Sequence, residues 1–291
     1  MKRLLFVLAL AATLCACSEK DNSLKIGTYN IRLINSGDRS AGNGWEQRSP
    51  YLLALLRYEA PDIFGAQEVR PEQIPDMTEA LPEYDWVGVG RDDGADKGEF
   101  VPVFWLRERF EALDKGWFWL SETPDVPGKG WDAACNRVCT WVHLKDRKSG
   151  KKIWFFNLHM DHVGVVAREE SAKLIVSKIE QMCHDDEVVF VTGDYNVDQN
   201  DSIFNIFEES SVLTDSYAKA ADRFIPNGTY NAFDVGRYTE LRIDHIFVSP
   251  AVDVEFFAVR TDMYWSENED GSFTPRTPSD HYPVFIKARL D

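Results

Sequence analysis

A run of four apolar residues at positions 188–191, most of them β-branched, is followed by Thr192, Gly193, an acid and, two residues later, an amide. Such a run predicts a short strand buried on both faces. On an extended chain, a spacing of two residues places Asp194 and Asn196 on the same side. Ligands of α/β folds bind at the carboxyl ends of strands, which makes both side chains candidates for a functional site. An Asx turn uses the same residue types, and the motif alone leaves both interpretations open.

Other predicted strands also carry an isolated polar residue near one end. They cover residues 24–33, 61–68, 152–160 and 282–286, and their polar residues are Asn30, Glu68, His159 and the adjacent Asp280 and His281. A buried carboxylate such as that of Glu68 is costly unless it is paired or binds a metal. Each of these residues alone is more often structural, but together they indicate a site.

Helical patterns alternate with these strands. They cover residues 45–58, with Pro50 expected in the first turn, residues 72–81, and residues 167–184, whose apolar stripe is the clearest. We find no repeat, low-complexity run or Pro/Gly-rich linker. The pattern predicts one large α/β domain over residues 24–291.

The first 17 residues are predicted to lie outside that domain. Lys2 and Arg3 precede an apolar stretch at residues 4–14 that is too short to span a bilayer. The sequence at 14–17, Leu-Cys-Ala-Cys, resembles a bacterial lipobox, which implies cleavage before Cys17, lipidation of that cysteine and a polar tether at residues 18–23. A plain secretory signal is the alternative. Either interpretation predicts export, and the lipobox adds a lipid anchor in a bacterial cell envelope as the only contact with the membrane.

Charge limits the partners that this chain can bind. The formal net charge is −16, and loss of Lys2 and Arg3 with the leader makes it −18. Such a charge disfavours non-specific binding of polyanions and anionic lipid surfaces. Phosphoester chemistry remains compatible with it, because bound divalent cations invert the local field.

Cysteine and tryptophan positions leave two further questions. Cys135 and Cys139 could pair in an oxidising compartment, whereas Cys183 lies in an apolar helical pattern and is expected to be buried. No zinc-ligand cluster is visible in the sequence. Three tryptophans flank a Pro/Gly-rich loop and either pack on a sheet or line a pocket: Trp117, Trp119 and Trp131.

Six short motifs in this order resemble the endonuclease/exonuclease/phosphatase superfamily. They are Thr28-Tyr29-Asn30, Gln67-Glu68, Asn157-Leu158-His159, Gly193-Asp194-Tyr195-Asn196, Arg242-Ile243-Asp244 and Ser279-Asp280-His281. The resemblance covers about residues 24–290, and residues 118–124 with 130–132 also resemble a bacterial branch of that family. It implies a four-layer α/β sandwich, in which two packed mixed β-sheets are flanked by helices, and a phosphoester hydrolase that uses a divalent cation.

The resemblance also implies roles for these residues. Glu68 would bind Mg²⁺ or Mn²⁺, with Asn30 and Asp280 beside it or reached through water, because hard oxygen ligands suit these ions. Either Asp194 or His281 would be the base that activates water, and Asp244 would fix the His281 tautomer. The groups that would donate to the phosphate in the transition state are His159 and Asn196.

Three nearby residues have less certain roles. Arg137 is a candidate phosphate clamp, and an ordinary surface arginine is the alternative. Asp161 and His162 follow His159 closely and are either extra ligands or polar loop residues.

The sequence thus predicts an exported, Mg²⁺-dependent phosphoester hydrolase that is lipid-anchored and monomeric. We expect a small phosphoester, a phosphosugar or a lipid head group as substrate, because no dense Lys/Arg cluster accompanies the motifs. An extracellular nuclease of the same superfamily is the alternative. A non-catalytic, glycan-binding surface lipoprotein is the alternative from another class.

Overall fold

The computed structural model describes residues 22–184 and 186–290. The predicted signal peptide, Cys17 and most of the predicted tether lie outside these residues. In chain order the strands are β1 Ser23–Asn30, β2 Ile63–Gln67, β3 Tyr84–Val87, β4 Val103–Leu106, β5 Phe110–Trp119, β6 Val138–Asp146, β7 Lys152–His159, β8 Val188–Asp194, β9 Thr214–Asp215, β10 Asp222–Phe224, β11 Asp244–Val248, β12 Asp253–Val259, β13 Tyr264–Glu267, β14 Phe273–Arg276 and β15 Val284–Arg289. The helices are α1 Ser36–Ser40, α2 Trp45–Glu59, α3 Ile74–Ala80, α4 Val165–Met182, α5 Ser202–Glu208 and α6 Ser216–Lys219, with a 3₁₀ turn at Pro71–Gln73.

Most of these strands form two mixed sheets that pack face to face. One sheet has seven strands in the order β10-β12-β15-β1-β2-β4-β3, and the other has six in the order β5-β6-β7-β8-β11-β9. β1 pairs in parallel with β2, and β7 pairs in parallel with β8. Parallel neighbours end at the same edge of their sheet. Asn30 at the end of β1 contacts Asp194 at the end of β8, so the carboxyl ends of these four strands form one edge of the sandwich.

Three apolar clusters separate four layers. The central cluster joins the inner faces of the sheets and includes Ile26 of β1 and Phe155 of β7. A second cluster packs β7 and β8 under α4, and a third packs β1 and β2 under α2 and α3. The helices thus cover the outer face of each sheet, and the predicted four-layer α/β sandwich is confirmed.

Several element ends differ from the sequence predictions. β1 ends at Asn30 rather than residue 33, because Arg32 has a left-handed backbone with φ of 59°. β1 begins at Ser23, which the prediction placed in the tether. Pro50 lies inside α2 and not in its first turn. Because proline has no backbone N–H, the helix lacks the hydrogen bond from residue 50 to the Glu46 carbonyl.

The cysteines form no disulfide among the described residues, and Trp119 packs in the protein interior. Cys135, Cys139 and Cys183 are all free thiols, so the structure contains no 135–139 disulfide, and Cys183 is only half-buried. Trp119 is buried against Val101 and Val138, which makes it a packing residue. Among the described residues, no helix is both long and apolar enough to cross a membrane.

Candidate active site

The polar residues that end the central strands surround one cavity of about 430 Å³. The residues that line it include Arg32, Leu33, Glu68, Arg91, Glu99, Cys135, Arg137, His159, His162, Asp194, Asn196, Tyr230, Ile243, Asp280 and His281. Two cavities of about 490 and 520 Å³ lie at another part of the molecule, around Phe256 and Arg260, and contain none of the predicted site residues. The cavity at the strand ends is therefore the candidate active site. Trp117, Trp119 and Trp131 are not among its lining residues, contrary to the pocket interpretation.

A chain of buried polar contacts runs through the floor of this cavity. The antiparallel register of β11 and β8 places Asp244 opposite Asp194. His281 lies between them, with Nδ1 2.9 Å from Asp244 Oδ2 and Nε2 3.7 Å from Asp194 Oδ2. Asn30 Nδ2 donates to Asp194 Oδ2 at 2.9 Å and to Glu68 Oε1 at 3.1 Å. This arrangement can accept, hold and release a proton inside the cavity.

Burial and charge shift the pKa values of the acid–base groups in this series of contacts. Burial, opposed by His281, raises the pKa of Asp194 to about 7. Although burial disfavours a charged ring, Asp244 and Asp194 raise the pKa of His281 well above its ordinary value. The two groups are close enough to titrate as a pair.

A second cluster joins the acids Glu68 and Asp280 through Arg32. The Arg32 Nη1 atom lies 3.3 Å from Asp280 Oδ2 and 3.9 Å from Glu68 Oε2, and its Nε donates to Asp38 Oδ2 at 2.8 Å. Glu68 also has a left-handed backbone, with φ of 59°. Asn30 presents its amide nitrogen to Glu68, while its Oδ1 accepts from the Arg32 N–H at 3.0 Å.

Ligand atoms of Glu68, His159 and Asp194 lie within 4.8 Å of one another, a spacing that can hold a metal ion. The predicted ligand Glu68 is thus part of this cluster, whereas Asp280 lies at its edge beside Arg32. Asp194, predicted as a possible base, contributes to the same cluster.

Asn196 reaches the cavity by a different route from the one predicted. The chain turns after Asp194, because Asn196 has φ of 51° and its N–H donates to Asp194 Oδ1 at 3.0 Å. The prediction that residues 194–196 are extended is therefore wrong. An Asx-type turn brings the Asn196 side chain to the site. Asn196 Nδ2 lies 3.1 Å from His159 Nε2 and donates to the Met160 carbonyl at 3.0 Å.

Arg137 is buried in the cavity wall, so the surface-arginine alternative is wrong. Only 4% of it is exposed, its Nε donates to Asp161 Oδ2 at 3.3 Å, and its Nη2 lies 2.9 Å from His162 Nδ1. Its Nη1 is buried without a partner among the described residues. Although burial opposes it, backbone N–H groups of the loop hold the pKa of Asp161 below its usual value. Asp161 is thus tied to the loop and to Arg137.

Sequence patterns missed several residues that line the cavity: Arg32, Arg91, Glu99 and Tyr230. The Arg91 Nη1 atom lies 2.7 Å from Glu99 Oε2, and burial raises the pKa of Glu99 although Arg91 opposes this shift. The Tyr230 ring lies 5.0 Å from the His281 ring. These residues lie in loops whose sequences have no periodicity. Only Arg32 could have been predicted as a site residue, because it lies two positions after Asn30 in the sequence.

Comparison with known proteins identifies the family. A model of the Endonuclease/Exonuclease/phosphatase family matches residues 27–281. The chain belongs to this family. A mannosyl-6-phosphatase from Bacteroides thetaiotaomicron is 48% identical, with a TM-score of 0.89 over 92% of this chain and 100% of that structure. An uncharacterised protein of Acanthamoeba polyphaga mimivirus is 27% identical over 83% of this chain and 91% of its own length.

More distant structures share the fold of this family. A structure of D. rerio TDP2 humanized by 14 mutations is 17% identical, with a TM-score of 0.68 over 92% of this chain and all of that one. The match to the family model over residues 27–281 confirms the predicted superfamily. As a member of the endonuclease/exonuclease/phosphatase family, the chain is a phosphoesterase, and the family's enzymes use divalent metals.

Proposed function

We propose that this protein is an exported phosphomonoesterase that removes phosphate from a phosphorylated sugar with a divalent cation. The cavity carries this proposal, because it brings the acids Glu68 and Asp194 together with the cations Arg32 and Arg137 in one space. Its volume of about 430 Å³ is in the range of small-molecule sites. Duplex nucleic acid requires an extended basic surface, which disagrees with a net charge of −16. The relative described as a mannosyl-6-phosphatase supports the sugar phosphate.

The donor atoms of the acid cluster fit Mg²⁺ or Mn²⁺. Glu68 and Asp194 offer carboxylate oxygens, the ligands that hard cations prefer, and no thiolate belongs to this cluster. Glu68 would hold the cation there, with Asn30 and Asp280 nearby, and a bound cation would polarise a phosphoryl oxygen and stabilise the leaving oxygen. Asn30 fixes both acids by donating to Glu68 and to Asp194.

Three side chains hold the phosphate. Arg137 lines the cavity and supplies a fixed positive charge, and its Nη1 has no partner among the described residues. Asn196 Nδ2 lies 3.1 Å from His159 Nε2 on the adjacent wall, and both side chains would exchange this mutual contact for the phosphoryl oxygens, to which they would donate. Donors that are already in place stabilise the charge that develops in the transition state.

Water attacks phosphorus in line with the sugar oxygen, and its proton passes to the Asp194–His281 pair. The pair suits this task because Asp244 orients His281 from the far side at 2.9 Å. The phosphorus–oxygen bond to the sugar breaks, the leaving oxygen takes up a proton from water, and the products are inorganic phosphate and the free sugar.

A substrate panel tests this proposal. Purified protein in Mg²⁺ at moderate salt is assayed on mannose 6-phosphate, glycerol 3-phosphate, sphingomyelin, phosphoinositides and plasmid DNA. We expect the highest kcat/KM for the sugar phosphate. Efficient plasmid nicking that His281→Ala abolishes, with the small phosphoesters untouched, would show that the protein is a nuclease.

A further inference from the structure

One wall of the cavity has no role in the hydrolysis described above. It is formed by Arg91 and Glu99, which lie in the loop between β3 and β4 and face the same cavity as Asp194 and His281. Glu99 lies within the electrostatic influence of both Arg137 and Glu68. The two residues therefore adjoin the space where the phosphate binds.

The loop holds this pair in a fixed position. The Arg91 N–H donates to the Glu99 carbonyl at 3.0 Å, so the two residues lie opposite each other across the loop. Trp119 Nε1 donates to the Arg91 carbonyl at 2.8 Å from the neighbouring sheet. Gly90 permits this packing, because a Cβ there would lie 2.2 Å from the Lys97 carbonyl oxygen. A preorganised wall can select a substrate at low entropic cost.

The side chains offer donors and an acceptor next to each other. Arg91 Nη1 lies 2.7 Å from Glu99 Oε2, and the side chains are only 16% and 12% exposed. Arg91 Nε is buried and has no partner among the described residues. Because their formal charges cancel, the pair does not demand a second anionic group on the substrate. A guanidinium beside a carboxylate suits adjacent hydroxyl groups, each of which both donates and accepts.

We propose that the Arg91–Glu99 pair binds hydroxyl groups of the sugar that carries the phosphate, and so selects phosphorylated polyols. This inference rests on the proposed phosphomonoesterase function and assigns the specificity of the same site. Phosphate esters whose leaving group has no hydroxyls do not use this wall.

The test compares two substrates in the same variants. Mannose 6-phosphate carries hydroxyls on its leaving group, and p-nitrophenyl phosphate does not. The measured quantity is kcat/KM for the sugar phosphate divided by kcat/KM for the aryl phosphate. In Glu99→Gln and in Arg91→Met, we expect this ratio to fall about 10-fold or more, chiefly because KM for the sugar phosphate rises. Asp85→Asn, which removes the exposed Arg107–Asp85 ion pair at β3, is the control and should leave the ratio unchanged.

Equal losses on both substrates, or an unchanged ratio, would overturn the inference. A binding measurement separates this result from failure of the proposed function. Calorimetric titration of the Asp194→Asn protein with mannose 6-phosphate and with inorganic phosphate measures the sugar contribution without turnover. The inference is supported if the Asp194→Asn protein binds mannose 6-phosphate more tightly than inorganic phosphate and a second change, Glu99→Gln, removes this difference. This holds even if the wild type does not hydrolyse the ester. Equal binding of both ligands contradicts it.

Discussion

Three residues of the active site have uncommon backbone conformations. Arg32, Glu68 and Asn196 all have positive φ angles between 51° and 59°, and all three line the cavity. Such conformations are uncommon for residues other than glycine and persist only where the surroundings impose them. Here they direct a cation, an acid and an amide into one space. The sequence identified Glu68 and Asn196 as site residues but gave no sign of these conformations, because local propensity favours φ below zero.

At the residue scale, Glu68 is the most direct test of the metal site. In Glu68→Gln the carboxylate becomes an amide of similar shape, so the fold should persist while the cluster loses a charge. We expect the affinity for Mn²⁺, measured by calorimetry, to fall at least ~10-fold. Glu72→Gln, an exposed acid near Arg70, is the matched control. Unchanged Mn²⁺ affinity in Glu68→Gln would place the ion elsewhere.

At the element scale, polar contacts connect the two sheets beside the active site. Gln67 of β2 donates to Thr28 Oγ1 at 3.0 Å and to Asn157 Oδ1 of β7 at 2.6 Å. Thr192 of β8 donates to the same Asn157 oxygen at 3.2 Å. Since all four side chains are fully or almost fully buried, this network fixes how the strand ends meet.

Gly65 of β2 is the position that allows this approach. A Cβ there would lie 2.3 Å from Asn157 Cγ and 2.6 Å from Thr192 Oγ1. Gly65→Ala should therefore lower the free energy of unfolding by about 1–3 kcal/mol through overpacking. Thermal denaturation should show a Tm lower by several degrees, at roughly 2–4 °C per kcal/mol for a domain of this size.

Gly128→Ala is the control for this change, because its nearest neighbour would be Thr123 Oγ1 at 3.9 Å. If Gly65→Ala melts at the same temperature as Gly128→Ala, close packing between the sheets does not limit stability.

Elements with strong apolar patterns were predictable, whereas the loops between them were not. The buried runs that became β2 and β8 and the stripe that became α4 lie within a few residues of their predicted positions. Arg91 and Glu99 were not predicted, because a polar loop has no periodicity and its contacts depend on a tryptophan of the other sheet. The burial of Arg137 was missed for a similar reason, since its partner Asp161 lies 24 residues away in sequence.

At the scale of the whole molecule, the predicted attachment point and the active site lie at opposite ends of β1. Ser23 begins this strand and Asn30 ends it in the active site. A strand of eight residues spans about 25 Å at ~3.3 Å per residue. A tether that enters at Ser23 would therefore hold the cavity at the opposite edge of the domain, open to substrates away from the membrane.

Export and lipidation predict the location of the protein in fractionated bacteria. The wild type should sediment with membranes, and Cys17→Ser should move it to the soluble envelope fraction, because the acyl anchor is lost. Immunoblots of membrane, periplasmic and cytoplasmic fractions measure this change, with Cys183→Ser as the control. A wild type that remains in the cytoplasm would contradict the predicted leader.

The central claim is that this cavity carries out metal-dependent hydrolysis of a sugar phosphate. Its most direct test is the release of inorganic phosphate from mannose 6-phosphate by the wild type, His281→Ala and the exposed-residue control His184→Ala. We predict that the wild type and the control release phosphate in Mg²⁺. Excess chelator should abolish this release, and added Mg²⁺ or Mn²⁺ should restore it. In His281→Ala, the rate of release should be about 100-fold lower or more. Full release in chelator, or undiminished release by His281→Ala, would contradict the claim.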